Sequence, residues 1–141
     1  MIEIEVIEVN WAEQERAISA IRRAVFVEEQ GVPEALEWDG CDGGARHVLA
    51  SIGSQAVATG RLLPSGHIGR MAVLRPFRRQ GIASAVLRQL LVIARANGMQ
   101  EVFLNAQLQA QSFYAGHGFT AGGETFLDAG IPHIHMRLKL R

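Results

Sequence analysis

One cysteine in 141 residues, Cys41, excludes an internal disulfide framework and suits a reducing compartment. An excess of either charge is missing too. With 14 Lys and Arg against 14 Asp and Glu, there is no global basic field, and a nucleic-acid partner is not expected. No hydrophobic run approaches the ~20 residues of a membrane span. The stretch Met1-Ile2-Glu3-Ile4-Glu5 carries acid where a signal peptide carries base. The expectation is a cytoplasmic protein without a membrane partner. Absent as well are a Gly-x-x-x-x-Gly-Lys-Ser/Thr loop and a Gly-x-Gly-x-x-Gly turn after the first strand, which argues against an ATP- or NAD-type phosphate loop. No repeat, low-complexity tract or linker divides the chain, so a single domain over 1–141 is expected.

What is present is organised around Arg78-Arg79-Gln80-Gly81-Ile82-Ala83-Ser84, with Arg75-Pro76 in front and an apolar helix behind. Ile68 to Leu74 reads as a buried strand, and Pro76, lacking an N–H, cannot extend a ladder. The segment is therefore strand, tight basic loop, helix. Gly81 lets backbone approach a ligand, and small Ala83 and Ser84 keep the first helical turn open. The unpaired amides of that turn and the helix dipole make an anion site, which Arg78 and Arg79 reinforce.

Along the chain, Ile2, Ile4 and Val6 alternate with Glu3 and Glu5 as in a half-buried strand. Asn10 and Glu13 form a candidate capping box for a helix that buries Ile18, Ile21 and Val25 and stops before Gly31-Val32-Pro33. Gln30 to Ala45 lacks periodicity and carries Glu34, Glu37, Asp39 and Asp42, a long loop of the sort that is often functional. Strands follow at His47 to Ile52, Ala56 to Leu63 and Ile68 to Leu74, joined by short turns as an antiparallel meander. The anion-loop helix buries Ile82, Val86, Leu90 and Ala94 and ends at Gly98. Val102-Phe103-Leu104 reads as a short strand and Gln109 to His117 as a brief helix. Ile134, Met136, Leu138 and Leu140 then alternate along a closing strand. An exposed last strand offers an edge on which a second copy can pair as a homodimer.

Arg78-x-x-Gly81-x-Ala83, placed after a strand and before an amphipathic helix, resembles the Arg/Gln-x-x-Gly-x-Gly/Ala signature of the GNAT N-acetyltransferase superfamily. Val25-Phe26-Val27-Glu28-Glu29-Gln30-Gly31-Val32-Pro33, Leu104-Asn105-Ala106-Gln107, Phe113-Tyr114 with Gly118-Phe119, and Gly130-Ile131-Pro132-His133-Ile134-x-Met136 are similar to its ElaA/YjcF-like branch. The resemblance covers most of the chain. It implies an α/β fold of the GNAT type: a mixed, mostly antiparallel central sheet, flanked by helices, in which the fourth and fifth strands splay apart. It also implies acetyl-coenzyme A as cosubstrate, held by Arg78, Arg79, Gln80, Gly81, Ile82, Ala83 and Ser84 at the pyrophosphate and by the backbone of Met71, Ala72 and Val73 along the pantetheine. The implied reaction is direct attack by a primary amine, from a small molecule or a peptide, in a ternary complex.

Tyr114, the only tyrosine, falls where the family commonly keeps a general acid; a half-buried aromatic with a satisfied hydroxyl looks the same in sequence. Asn105 is a candidate partner for a pantetheine amide or a plain helix-entry cap. Glu29 is a candidate base, and Glu28 and Gln30 candidate acceptor contacts, with solvated helix-end charges the alternative for the two acids. His47 and His133 are further candidates for the acceptor pocket, or satisfied strand histidines. His133 and His135 lack a third ligand at supporting spacing, so no metal is assigned. For His67, in a turn, and His117, at a helix end, a structural role suffices. Cys41 has no basic neighbour in sequence and is not assigned as a nucleophile. A non-catalytic acyl-coenzyme A sensor using the same loop is the competing expectation, separable by thiol release over a panel of amines.

Overall fold

A computed structural model describes residues 3–141. Strand β1 (Ile4–Val9) leads to Asn10, whose side chain accepts the Ala12 N–H and so caps α1 (Trp11–Arg22). Glu13 makes no return bond among the described residues, so only the Asn10 half of the expected capping box forms. Ile2, expected in the first strand, lies outside the described residues. The helix widens into a π-helical stretch over Arg23–Glu29, where the Gln30 N–H reaches back to the Val25 carbonyl at 3.1 Å. A short helix α2 (Glu34–Glu37) and a 3₁₀ turn (Asp42–Gly44) interrupt the expected long loop.

Strands β2 (Arg46–Ile52), β3 (Gln55–Leu62) and β4 (Ile68–Val73) form the expected meander, and β1 pairs antiparallel with β2. After a 3₁₀ turn (Arg75–Phe77) comes α3 (Ile82–Ala96), then β5 (Glu101–Gln107), a 3₁₀ turn (Leu108–Ala110), α4 (Gln111–Gly116), β6 (Thr120–Asp128) and β7 (Ile131–Lys139). β5 runs beyond the three residues expected of it. Leu104 and Ala106 are buried while Asn105 and Gln107 alternate to the other side, a half-buried strand whose second part is polar on one face.

The strands lie in the order β1-β2-β3-β4 and, separately, β5-β7-β6. The last strand is therefore interior to its sheet, paired with β5 on one side and β6 on the other. This corrects the expectation that β7 offers an edge to a second copy: its ladder groups are already used, and the outer strand is β6.

Both faces of the meander are covered. α1 packs Ile18, Ile21 and Val25 with Leu49 and Ala72 on one side, while α3 packs Ile82, Val86, Leu87 and Leu90 with Val48 and Ala50 on the other. Opposite burial of Val48, Leu49 and Ala50 follows from the two-residue period of a strand. Gly60 lets α3 sit this close, because a Cβ there would lie 2.8 Å from both Leu90 Cδ1 and Val86 Cγ1.

Candidate active site

β4 and β5 touch only at one end. His67 and Phe103 form an isolated parallel bridge, and the Phe103 N–H donates to the Gly66 carbonyl at 3.0 Å. The approach is so close there that a Cβ on Gly66, at φ +94°, would come within 2.9 Å of the Glu101 carbonyl oxygen. From that junction the strands diverge, and the opening between them is a cleft of about 610 Å³ lined by Met71, Ala72 and Val73 on one wall and Asn105, Ala106 and Gln107 on the other. A bulge re-aims β4 in the middle. Thr59 pairs with Ala72 and Arg61 with Gly69, so Gly60 faces both Arg70 and Met71, and Arg70 adopts φ +49°.

The amino end of α3 stands at the mouth of this opening. Gly81 caps the helix at φ +79°, in the left-handed region that disfavours a side chain, and a Cβ there would meet nothing within 4 Å. The first helical bond runs from the Ala85 N–H to the Gly81 carbonyl at 3.1 Å, which leaves the amides of Ile82, Ala83 and Ser84 without intrahelical partners. Arg79, Gly81, Ile82, Ala83 and Ser84 all line the cleft; Gln80 is exposed and does not. An anionic, extended thioester fits this arrangement: open amides and a cation at the entrance, unpaired strand backbone along the walls.

Arg78 lines the cleft, yet its charge is already matched. Its guanidinium donates to both carboxylate oxygens of Glu29 at 2.6 and 2.7 Å, and its Nε to the Val73 carbonyl at 2.9 Å. Of the loop's two arginines, only Arg79 has no acidic partner among the described residues. The same contact relocates Glu29. Hydrogen bonding to Arg78 holds its carboxyl below the usual carboxylate range, and Glu28 and Glu29 line a separate shallow depression with Arg75 and Pro76. The expectation that these two acids border the acceptor cleft is corrected accordingly, since neither is among the residues that line it. Gln30, one residue on, does line the cleft, and its side-chain oxygen accepts from Gln107 Nε2 at 2.8 Å.

Tyr114 projects from α4 to the Met71 side of the cleft, where its hydroxyl donates to Met71 Sδ at 3.6 Å. Burial pushes its phenol up to about 12. Phe113 and Phe119 pack edge-on against its ring. Asn105 lies within β5, which removes the helix-cap reading, and its Oδ1 pairs with His135 Nδ1 at 3.1 Å. Ser84 Oγ is bonded to His117 Nε2 at 3.0 Å.

The two histidines expected at the acceptor pocket part ways. His133 lines the cleft, with its Nδ1 on the Ile131 carbonyl at 2.6 Å. His47 does not: its ring is 1% exposed, stacked on Trp11 at 5.1 Å and bonded through Nε2 to the Asp42 carbonyl at 2.9 Å. It belongs to a buried polar cluster, which is also where the acidic loop goes. Arg22, wholly buried between Trp11 and Trp38, pairs with Glu37 at 2.8 Å and Asp42 at 2.6 Å. Arg61 takes Asp39 at 2.8 Å and Asp42 at 3.1 Å, and Arg70 takes Glu37 at 3.1 Å and Asp39 at 3.3 Å. Three cations and three carboxylates thus close on one another, so Glu37, Asp39 and Asp42 are structural, while the loop's fourth acid, Glu34, pairs with Arg23 at the surface.

Arg70, Glu37 and Asp128 line the cleft without having been expected there, as do His67, expected to be structural, and Gln107, expected only as part of a motif. Arg70 falls at a strand position with no motif of its own, and Gln107 belongs to the Leu104-Asn105-Ala106-Gln107 motif without a role assigned to it. His67 reads as a turn residue unless the parallel bridge to Phe103 is known.

The acetyltransferase (GNAT) domain model matches residues 10–140. The chain is 37% identical over 120 residues to the uncharacterised N-acetyltransferase YjcF of Bacillus subtilis, covering 82% of this chain and 86% of the relative. Among solved structures, that of ElaA from Escherichia coli superposes with a TM-score of 0.85 at 31% identity, over 94% of this chain and 98% of the other. An acyl-CoA N-acyltransferase from Pseudomonas aeruginosa superposes with a TM-score of 0.84, also at 31% identity, over 96% of this chain and 99% of its own.

Proposed function

The chain belongs to the GNAT acetyltransferase family, and on that footing we propose that it moves the acetyl group of acetyl-coenzyme A onto a primary amine of a small molecule or peptide, by direct attack while both are bound. The observation that carries this reading is the seam between β4 and β5, open from Met71 to Val73, with the free amides of α3 at its mouth. Bound there, acetyl-coenzyme A supplies the activated acetyl group; the protein supplies grip, alignment and charge stabilisation.

The amides of Ile82, Ala83 and Ser84, with Arg79, hold the pyrophosphate. Arg78 shapes the loop from beneath, tied to Val73 and Glu29, so Glu29 serves as an anchor and not as the base. Backbone groups of Met71, Ala72 and Val73, with the Asn105 side chain opposite, pair with the pantetheine amides. A backbone N–H of β4 beside the bulge at Arg70 and Met71 is the donor on offer to the thioester carbonyl. Aimed at the carbonyl oxygen as it gains charge, such a donor is worth roughly 3 kcal/mol. Gln30 and His133 border the acceptor.

Tyr114 lies on the sulfur side. Complete proton transfer from a phenol at about 12 to a thiolate near 8.5 is uphill by roughly 5 kcal/mol. The phenol therefore stays protonated and steadies the departing sulfur through its hydrogen bond, while the proton that ends on sulfur comes from the amine.

Titration calorimetry and thiol release test this together. The wild-type chain binds acetyl-coenzyme A and releases thiol only when a suitable primary amine is present. Gly81→Glu, which puts bulk and negative charge at the open Cβ position, abolishes binding. Retained affinity in that variant would displace the phosphate site from α3. Binding without thiol release over a broad amine panel would make the chain a sensor.

A further inference from the structure

β4 orders the cleft along its length. The α3 amides lie beyond Val73, Met71 and Tyr114 occupy the middle, and Gly69, Ile68 and His67 follow toward the junction with β5. Since the acetyl carbon must sit between leaving sulfur and incoming nitrogen, an amine enters from the His67 side. Apart from Tyr114 and the loop arginines Arg78 and Arg79, five titratable side chains line the cleft: Glu37, His67, Arg70, Asp128 and His133. Glu37 is committed to Arg22 and Arg70, Arg70 stays charged, and Asp128 is exposed at the end of β6.

His67 differs from these. Its ring stacks on Phe103 at 4.8 Å with planes 17° apart, and among the described residues no group hydrogen-bonds either ring nitrogen. Nor is either nitrogen among the buried polar atoms left without a partner, so the ring reaches cleft water. The backbone beneath is tied on both sides, with the His67 carbonyl accepting from Leu63 at 2.9 Å and Gly66 accepting from Phe103 at 3.0 Å. The imidazole is thus held in place while its nitrogens remain free.

We propose that His67 is the base of the transfer, taking the amine's proton directly or through one water; this rests on the acetyltransferase reading given above. The nitrogen of a neutral amine bonds to the acetyl carbon and becomes positively charged, which makes its N–H far more acidic than that of a free ammonium. His67 accepts that proton as the C–S bond breaks and the electron pair leaves on sulfur. The imidazolium then returns a proton to the thiolate through solvent, so that amine and thioester become amide and thiol with nothing left over. Burial holds the imidazole below its ordinary value, as do Arg61, Arg70 and, across Phe103, His135; Asp39 opposes them. His67 is accordingly neutral and able to accept near pH 7.

The test uses the full chain, acetyl-coenzyme A and primary amines of graded basicity: phenethylamine, glycinamide and 2,2-difluoroethylamine. In the wild type, turnover falls as pH drops through a limb below about 6.5. The same midpoint appears for the His67 ring in an imidazole NMR titration of the acetyl-coenzyme A complex. His67→Asn and His67→Gln lose that limb and about 100-fold in kcat at pH 7, with the KM for acetyl-coenzyme A unchanged. Two results overturn the assignment: persistence of the limb in both variants, or its loss in His133→Asn with His67 intact. An NMR midpoint above pH 7 does the same without any acceptor. If the wild type binds acetyl-coenzyme A but acetylates none of the amines, the transferase reading fails and the base with it.

Discussion

Tyr114 is the side chain whose proposed role beside the departing sulfur can be tested by removing one atom. Among the described residues its hydroxyl has only a sulfur acceptor, at 3.6 Å, a weak bond that a thioester sulfur can replace without loss. Tyr114→Phe is expected to lower kcat by about tenfold or more while leaving acetyl-coenzyme A affinity in calorimetry unchanged, because the aromatic packing with Phe113 and Phe119 survives. Unaltered turnover would return the residue to the core. Position along the chain is enough to place Tyr114 beside the cleft. It is not enough for Glu29, whose partner Arg78 lies 49 residues away, or for His47, whose ring turns from the cleft toward Trp11. A strand reveals which residues alternate, not what waits on either side.

At the scale of elements, the seat of α3 on β3 depends on a missing side chain. Gly60→Ala places a Cβ 2.8 Å from Val86 Cγ1, a stiff β-branched neighbour, as well as from Leu90. Overpacking of this kind costs about 1–3 kcal/mol, read as a lower urea midpoint. The loop from Gln30 to Ala45 is secured differently, by the charges it carries. Burial alone would raise Asp42, but Arg22 and Arg61 outweigh it and hold the carboxyl below its usual range; Asp39 is likewise held low against burial by Arg61, the Cys41 N–H and Arg70. Depressed folded values mean that the unfolded chain binds more protons. The stabilisation is therefore present above about pH 4 and is lost as pH falls further. Urea midpoints are expected to decline steeply between about pH 4 and 2. Asp42→Asn should flatten that decline while costing about 3–5 kcal/mol at pH 7, since it leaves buried Arg22 short of a partner. A slope matching wild type would remove Asp42 from the account.

For the whole molecule, the decisive feature is the junction of two sheets that meet at one end and part at the other. Gly66→Ala sets a Cβ against the Glu101 carbonyl oxygen at 2.9 Å and forces φ +94° on a residue that resists it. Expected are a loss of about 1–3 kcal/mol and faster hydrogen exchange at the Phe103 amide, which bonds to Gly66. Exchange unchanged at Phe103 would mean that the junction does not depend on this glycine.

Local rules sufficed for the strand alternation, the Asn10 cap, the apolar stripe of α3 and the basic glycine loop before it, because each is written within a few neighbouring residues. The family followed from those same short patterns. Tertiary structure alone decided that the acids of the long loop meet Arg22, Arg61 and Arg70, that β7 lies inside its sheet, and that His67 faces the cleft. Each of these depends on which distant segments are brought together, and a one-dimensional period carries no record of what lies opposite.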